Sequence, residues 1–162
     1  MSDAQLFAFE SDFVASLRCI PMAVRLKLDL CGIKLTLRQW SRFARSDREA
    51  LVVMPCGRRA EVEAFRAEVV DLVVSRAGEA ARPLTERACR DWERSNRIPI
   101  AVTDNAMSLG LSPPSVSQWA ALTPLQRFAL IKLTRDNHDN VNFAPAMAEF
   151  GLSRPLSRLG HP

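Results

Sequence analysis

Four cysteines, two histidines and a spaced set of arginines are the residues of this chain whose chemistry could go beyond packing. Cys19, Cys31 and Cys56 fall in the first third, Cys89 stands apart, and His138 sits in the polar stretch Asp136-Asn-His-Asp-Asn140. Together Cys19, Cys31, Cys56 and His138 would offer three thiolates and one imidazole, a donor set suited to zinc or an iron centre. Their spacing is not that of a compact metal motif, and no CxxC pair occurs. The competing reading of Cys31 is a buried thiol acting as a small hydrophobe. Arg38, Arg42 and Arg45 recur at helical spacing, and the guanidinium fork suits the carboxylates of an acidic partner or a phosphate-bearing cofactor. Otherwise they form a solvated helix face. No carboxylate, serine or cysteine stands at a recognisable catalytic spacing from His138, and His161 lies in the tail. No P-loop, GxGxxG or EF-hand occurs, so the sequence marks no catalytic residue.

The elements that must position these side chains come from a repeat. Ile20, Pro21, Ala23, Val24 and Gly32 reappear 78 residues later as Ile98, Pro99, Ala101, Val102 and Gly110. At a shift of 79, Gln39, Trp40, Arg48, Ala50 and Leu51 meet Gln118, Trp119, Arg127, Ala129 and Leu130. These pairs imply an internal duplication, residues 20–78 and 98–152, with a linking segment 79–97 and a loose tail 153–162. The repeat also resolves an ambiguity. Val24-Arg-Leu-Lys-Leu-Asp-Leu30 alternates like a strand, whereas Val102, Ala106 and Leu109 recur like a helical face. Mapped back, that face is Val24, Leu28 and Cys31, and a glycine follows each copy as a helix stop.

Thr36-Leu-Arg-Gln39 and Ser115-Val-Ser-Gln118 are capping boxes, each followed by tryptophan. Ser46 to Glu49 and Thr123 to Gln126 are expected to cap the next helices, in registers that disagree by two residues. Trp40 and Trp119 are expected to pack each copy's core rather than form a ligand platform. Ser11 or Asp12 is expected to cap a short first helix through Leu17, and a long amphipathic helix should run from Pro55 to Gly78. The helix after Pro124 is apolar all round and should lie centrally, and a shorter one should span Ala144 to Phe150. No segment reads as a convincing strand. The expected fold is all-α, a compact helical bundle of two duplicated units in a single domain, residues 1–162, with no sheet.

Bulk properties narrow the class. The hydrophobic fraction of 48% and charged fraction of 25% are those of a soluble globular protein. No apolar run is long enough to cross a membrane, and the acidic start lacks the features of a signal peptide, so a cytoplasmic protein without membrane partners is expected. Absence of a secretion signal also argues against disulfides. The net charge of +4 is arginine-derived, and nucleic acid is the weakest of the partner classes, since no recognition helix stands out.

Longer motifs carry a resemblance. Ser16-Leu-Arg-Cys-Ile-Pro-Met22, Lys27-Leu-Asp-Leu-Cys-Gly-Ile-Lys-Leu35 and Pro55-Cys56 form an N-terminal signature. Pro124-Leu-Gln-Arg-Phe-Ala-Leu-Ile-Lys-Leu133, His138, Asn140, Asn142-Phe143 and Glu149-Phe-Gly-Leu152 form a C-terminal one. The chain in these stretches resembles the conserved nitrate reductase-associated protein family, from about Phe9 to Leu152, with residues 78–97 departing from the pattern. That resemblance implies a non-catalytic accessory or maturation factor for an assimilatory molybdenum nitrate reductase. Its implied partners are the reductase or its molybdopterin-cofactor assembly machinery, and it brings no established binding residues and no firmly implied cofactor. Cys19, Cys31, Cys56 and His138 fall on its motifs. A small thiol-based metal-binding or redox-sensing protein is the alternative, and a basic nucleic-acid-binding regulator a weaker one.

Overall fold

Left-handed glycines punctuate the chain as the sequence leads one to expect. In the computed structural model, which describes residues 6–10, 16–85, 89–135 and 141–152, Gly32, Gly78, Gly110 and Gly151 all have positive φ and close helices. Contacts divide the chain into two compact units, Met1–Ala88 and Cys89–Pro162. The described residues are mostly helical, with eight α-helices and one short strand pair.

In the first unit a 3-10 turn, Ala8–Glu10, precedes α1, Met22–Cys31. The strand-like alternation is indeed helical. Val24, Lys27, Leu28 and Cys31 are buried on one face, and Gly32 at φ 74° returns its N–H to Leu28 O at 2.9 Å. Past that glycine the structure corrects the sheet-free expectation. Strand β1, Ile33–Lys34, pairs antiparallel with β2, Arg82–Pro83, and Leu84 donates its N–H to Gly32 O at 2.9 Å. The reason is physical. Gly32 turns the chain so that Ile33 enters the core at 2% exposure, and the backbone left outside any helix pairs with the strand that follows α4.

The box of Thr36 and Gln39 then starts α2, Leu37–Arg42. Helix α3, Arg45–Val53, is capped two residues before the expected position, Ser46. Ala44 is its N-cap, Asp47 Oδ2 accepts the Ala44 N–H at 2.8 Å, and Ser46 lies inside the helix. A carboxylate three residues in supplies half a capping box even where the cap residue is alanine. Helix α4, Arg59–Leu72, buries Phe65, Val69 and Leu72 and runs into a π-helical turn, Val73–Ala77, before Gly78.

The second unit opens with the 3-10 turn Asp91–Glu93, which buries Trp92. Helix α5, Ile100–Ser108, buries Val102 and Ala106. Leu109 departs from the expected face. It is 47% exposed, because the helix ends at Ser108 and the Leu111 N–H returns to Ala106 O at 2.9 Å. Capping boxes start α6, Val116–Ala121, and α7, Pro124–Lys132. Helix α7 buries Phe128, Ala129, Leu130 and also Arg127, so it is not the purely apolar helix of the sequence reading. The last helix, α8, is Phe143–Glu149, a residue earlier than expected at each end. Of the segment 79–97, Arg82–Leu84 bonds within the first unit and Trp92 packs within the second. The expected cap at Ser11 or Asp12, His138, His161 and the tail lie outside the described residues.

Gly32→Ala tests the stop directly. An added Cβ would meet nothing within 4 Å, so the cost is conformational alone. Urea unfolding is expected to show a loss of about 1–2 kcal/mol, the penalty of a left-handed alanine.

Candidate functional site

Trp40 and Trp119 are both fully buried, and each of these indole N–H groups is spent on a backbone carbonyl. In the first unit Trp40 Nε1 donates to Leu17 O at 2.8 Å, and Arg48 Nη1 from α3 donates to the same oxygen at 2.9 Å. Leu17 has φ 52°, unusual for leucine, and costs about 1–2 kcal/mol of backbone strain that the two bonds and a buried side chain offset. In the second unit Trp119 Nε1 donates to Arg94 O at 2.9 Å. Arg127, 6% exposed, donates from Nε to Trp92 O at 2.7 Å and from Nη1 to Leu122 O at 2.6 Å. Burial pulls the Arg127 guanidinium below its ordinary value. Arg48 Nε is buried with no partner among the described residues. These arginines were not singled out from the sequence, although their identity at matching positions of the repeat was the available signal. Trp40 and Trp119 are therefore structural, and no aromatic platform faces solvent at these positions.

The arginine stripe is split by the fold. Arg38 and Arg42 lie on α2, but Phe43 and Ala44 are extended and Arg45 opens α3, so one helix face does not carry all three. Arg38 pairs with Glu79, whose other oxygen accepts Gln39 Nε2 at 2.9 Å. Arg45 pairs with Glu49 at 2.9 Å. Arg42 is exposed and makes no ion pair among the described residues. Exposed Leu37 adds an apolar spot beside them on α2. The positions matching the three arginines in the second unit, Ser117, Ala121 and Pro124, are exposed and uncharged.

The thiols are likewise separated. Cys31 is buried at the end of α1, where its Sγ–H faces Leu28 O at 3.5 Å. Cys56, half-buried between α3 and α4, packs on the same apolar cluster. Burial, then the neighbouring Cys31, pushes the Cys56 thiol up to about 11, while Lys27 acts in the opposite sense; burial also raises Cys31. Lys27 is itself 6% exposed, donating Nζ to Val52 O at 2.7 Å and Leu51 O at 3.1 Å above the Phe65 ring. Arg66 ties α4 to this corner by donating to Cys31 O at 3.3 Å. Cys19 belongs to the opposite end of α1, next to Ile20, whose carbonyl accepts Arg25 Nε. A ten-residue helix, about 15 Å long, separates it from Cys31. Cys89 is exposed. Among the described residues no three or more His, Cys, Asp or Glu side chains converge as a metal site. The fold thus brings Cys31, Cys56 and Lys27 together and leaves Cys19 out.

Two measurements follow from this geometry. Trp119→Ala is expected to lose roughly 3–5 kcal/mol in chemical denaturation, as for a large buried aromatic. The raised Cys56 thiol predicts a pH dependence. Between the unfolded value of 9.0 and the folded value of about 11, the folded state holds its proton more tightly than the unfolded one. This contribution is complete below pH 9 and lost as pH rises through 11, so the wild type should lose more stability across that window than Cys56→Ser.

A search of curated proteins returned no match, and a search of solved structures returned none. The comparison with protein families, by contrast, matches residues 6–150 to the family described as conserved nitrate reductase-associated protein. With most of both units covered by the matched span, this chain belongs to the conserved nitrate reductase-associated protein family.

Proposed function

We propose that the protein is a non-catalytic accessory or maturation factor for an assimilatory, molybdenum-dependent nitrate reductase. It acts by binding the apoenzyme or its cofactor in the cytoplasm, with the reductase or its molybdopterin-cofactor assembly machinery as partner. The family's association with nitrate reductase supports the partner, and the exposed set Leu37, Arg38, Arg42 and Arg45 supports binding as the mode of action. One observation carries the choice of surface: only the first unit bears these arginines, at positions where the second has Ser117, Ala121 and Pro124. Among the described residues no helix is long and apolar enough to cross a membrane.

Duplication of one ancestral unit belongs to the same proposal. Its support is geometric as well as sequential. Trp40 and Trp119 each bond a carbonyl of the preceding segment, and Arg48 and Arg127 each bond backbone carbonyls from the matching helix position. In the register that pairs those arginines, Ala44 and Thr123 are both N-caps. Duplicated surfaces are free to diverge, and the arginine face is one such divergence.

Arg42 is the residue to reverse, because Arg38 and Arg45 already hold Glu79 and Glu49. Arg42→Glu should fold normally yet recover the reductase at least about tenfold less well in pull-downs from nitrate-grown cells, a loss of about 1.4 kcal/mol. Deletion of the gene should lower the yield of active reductase. Full reductase activity in the deletion strain would contradict the proposal.

A further inference from the structure

Three residues of the first unit converge on one corner and are all replaced in the second. Lys27, Cys31 and Cys56 match Asn105, Leu109 and Arg135 at the repeat shifts of 78 and 79. In the first unit the segments that carry them are tied together. Lys27 and Cys31 are one turn apart on the buried face of α1. The Lys27 ammonium reaches the last carbonyls of α3, just before the stretch Met54-Pro55-Cys56, and Arg66 brings α4 against the Cys31 carbonyl. Met54 and Cys56 pack on the cluster that contains Cys31. In the second unit the leucine replacing Cys31 is exposed, and the asparagine replacing Lys27 keeps a buried Nδ2 with no partner among the described residues. A buried cation, two thiols and a thioether therefore occur as a set in one unit alone.

We propose that Cys31 and Cys56 form a two-thiolate site for a single Cu(I) ion, with Lys27 as its charge partner. Softness and coordination number select the metal. Thiolate and thioether ligands favour Cu(I), which is satisfied by two sulfurs. Structural zinc calls for four tetrahedral ligands, and among the described residues no third His, Cys, Asp or Glu joins the pair. Binding breaks two S–H bonds and forms two Cu–S bonds, and two protons leave to solvent without change of oxidation state. The resulting dithiolate complex carries one negative charge. That charge would be costly in an apolar corner, and buried Lys27, whose positive charge already acts on Cys56, would offset it. The site is independent of the reductase-binding reading, since it concerns the purified chain alone.

Anaerobic titration of the reduced full chain with Cu(I), in competition with bicinchoninate, tests this. The wild type should take one Cu(I) per monomer, with ultraviolet thiolate-to-copper absorption. Cys56 is half-buried, so Cys56→Ser is the variant best placed to keep its fold, which circular dichroism checks. It should bind at least about 100-fold more weakly, the upper range of what even an outer-shell partner contributes to a metal site. A Cys19→Ser/Cys89→Ser double variant should bind as the wild type does. The proposal is overturned if the wild type fails to compete, if Cys56→Ser retains its affinity, or if the ion is held only by a dimer that needs Cys89.

Discussion

Each unit is organised by a cation and an indole that satisfy carbonyls no helix can reach. A turn carries carbonyls with no partner in any helix or sheet, and inside a protein such groups must be bonded. Trp119 and Arg127 meet that need at Arg94, Trp92 and Leu122, and Trp40 and Arg48 meet it together at Leu17. A guanidinium suits the task because it holds several donors in a plane and keeps its charge when buried. Once those carbonyls are held, the segment before each first helix is placed against the tryptophan helix and the one after it. The strained φ of Leu17 persists because its carbonyl is held twice.

Other buried charges of the first unit act in the same spirit, at helix ends. Glu10 accepts the Met22 N–H at 2.7 Å where α1 begins, and Lys27 donates to Leu51 and Val52 where α3 ends. Negative charge at an N-terminus and positive charge at a C-terminus both complement the helix dipole. In the second unit the matching helix, α7, finishes differently. Thr134 Oγ1 donates to Ile131 O at 2.6 Å, doing with a hydroxyl what Lys27 does with an ammonium. The first unit is thus left with a buried cation beside two thiols, which the second unit does without.

Much of the local structure is legible in the residues. Thr36, Ser115 and Thr123 announce helix starts, and Gly32, Gly78, Gly110 and Gly151 announce stops, because caps and left-handed turns depend on side chains within a few residues. The comparison of copies read Val24 to Leu30 correctly as helix. It failed at Leu109, where the copy's helix ends one residue early, although Cys31 is nonetheless buried. The cap at Ala44 was missed because its side-chain partner is the carboxylate of Asp47, which accepts the Ala44 N–H, rather than a hydroxyl at the cap itself. The arginine stripe was drawn as one helix for the same reason.

What the sequence by itself determined is therefore the helical class, the family, the stops and caps, and the burial of the tryptophans. All of these follow from short-range chemistry or from the repeat. Only the tertiary structure decided that Arg127 and Lys27 are interior residues, that Ile33 pairs with Pro83, and that Cys56 lies with Cys31 while Cys19 does not. Each of these joins groups distant in sequence. No local pattern records which backbone carbonyls a fold will leave needing a partner, and the cations go where those carbonyls are.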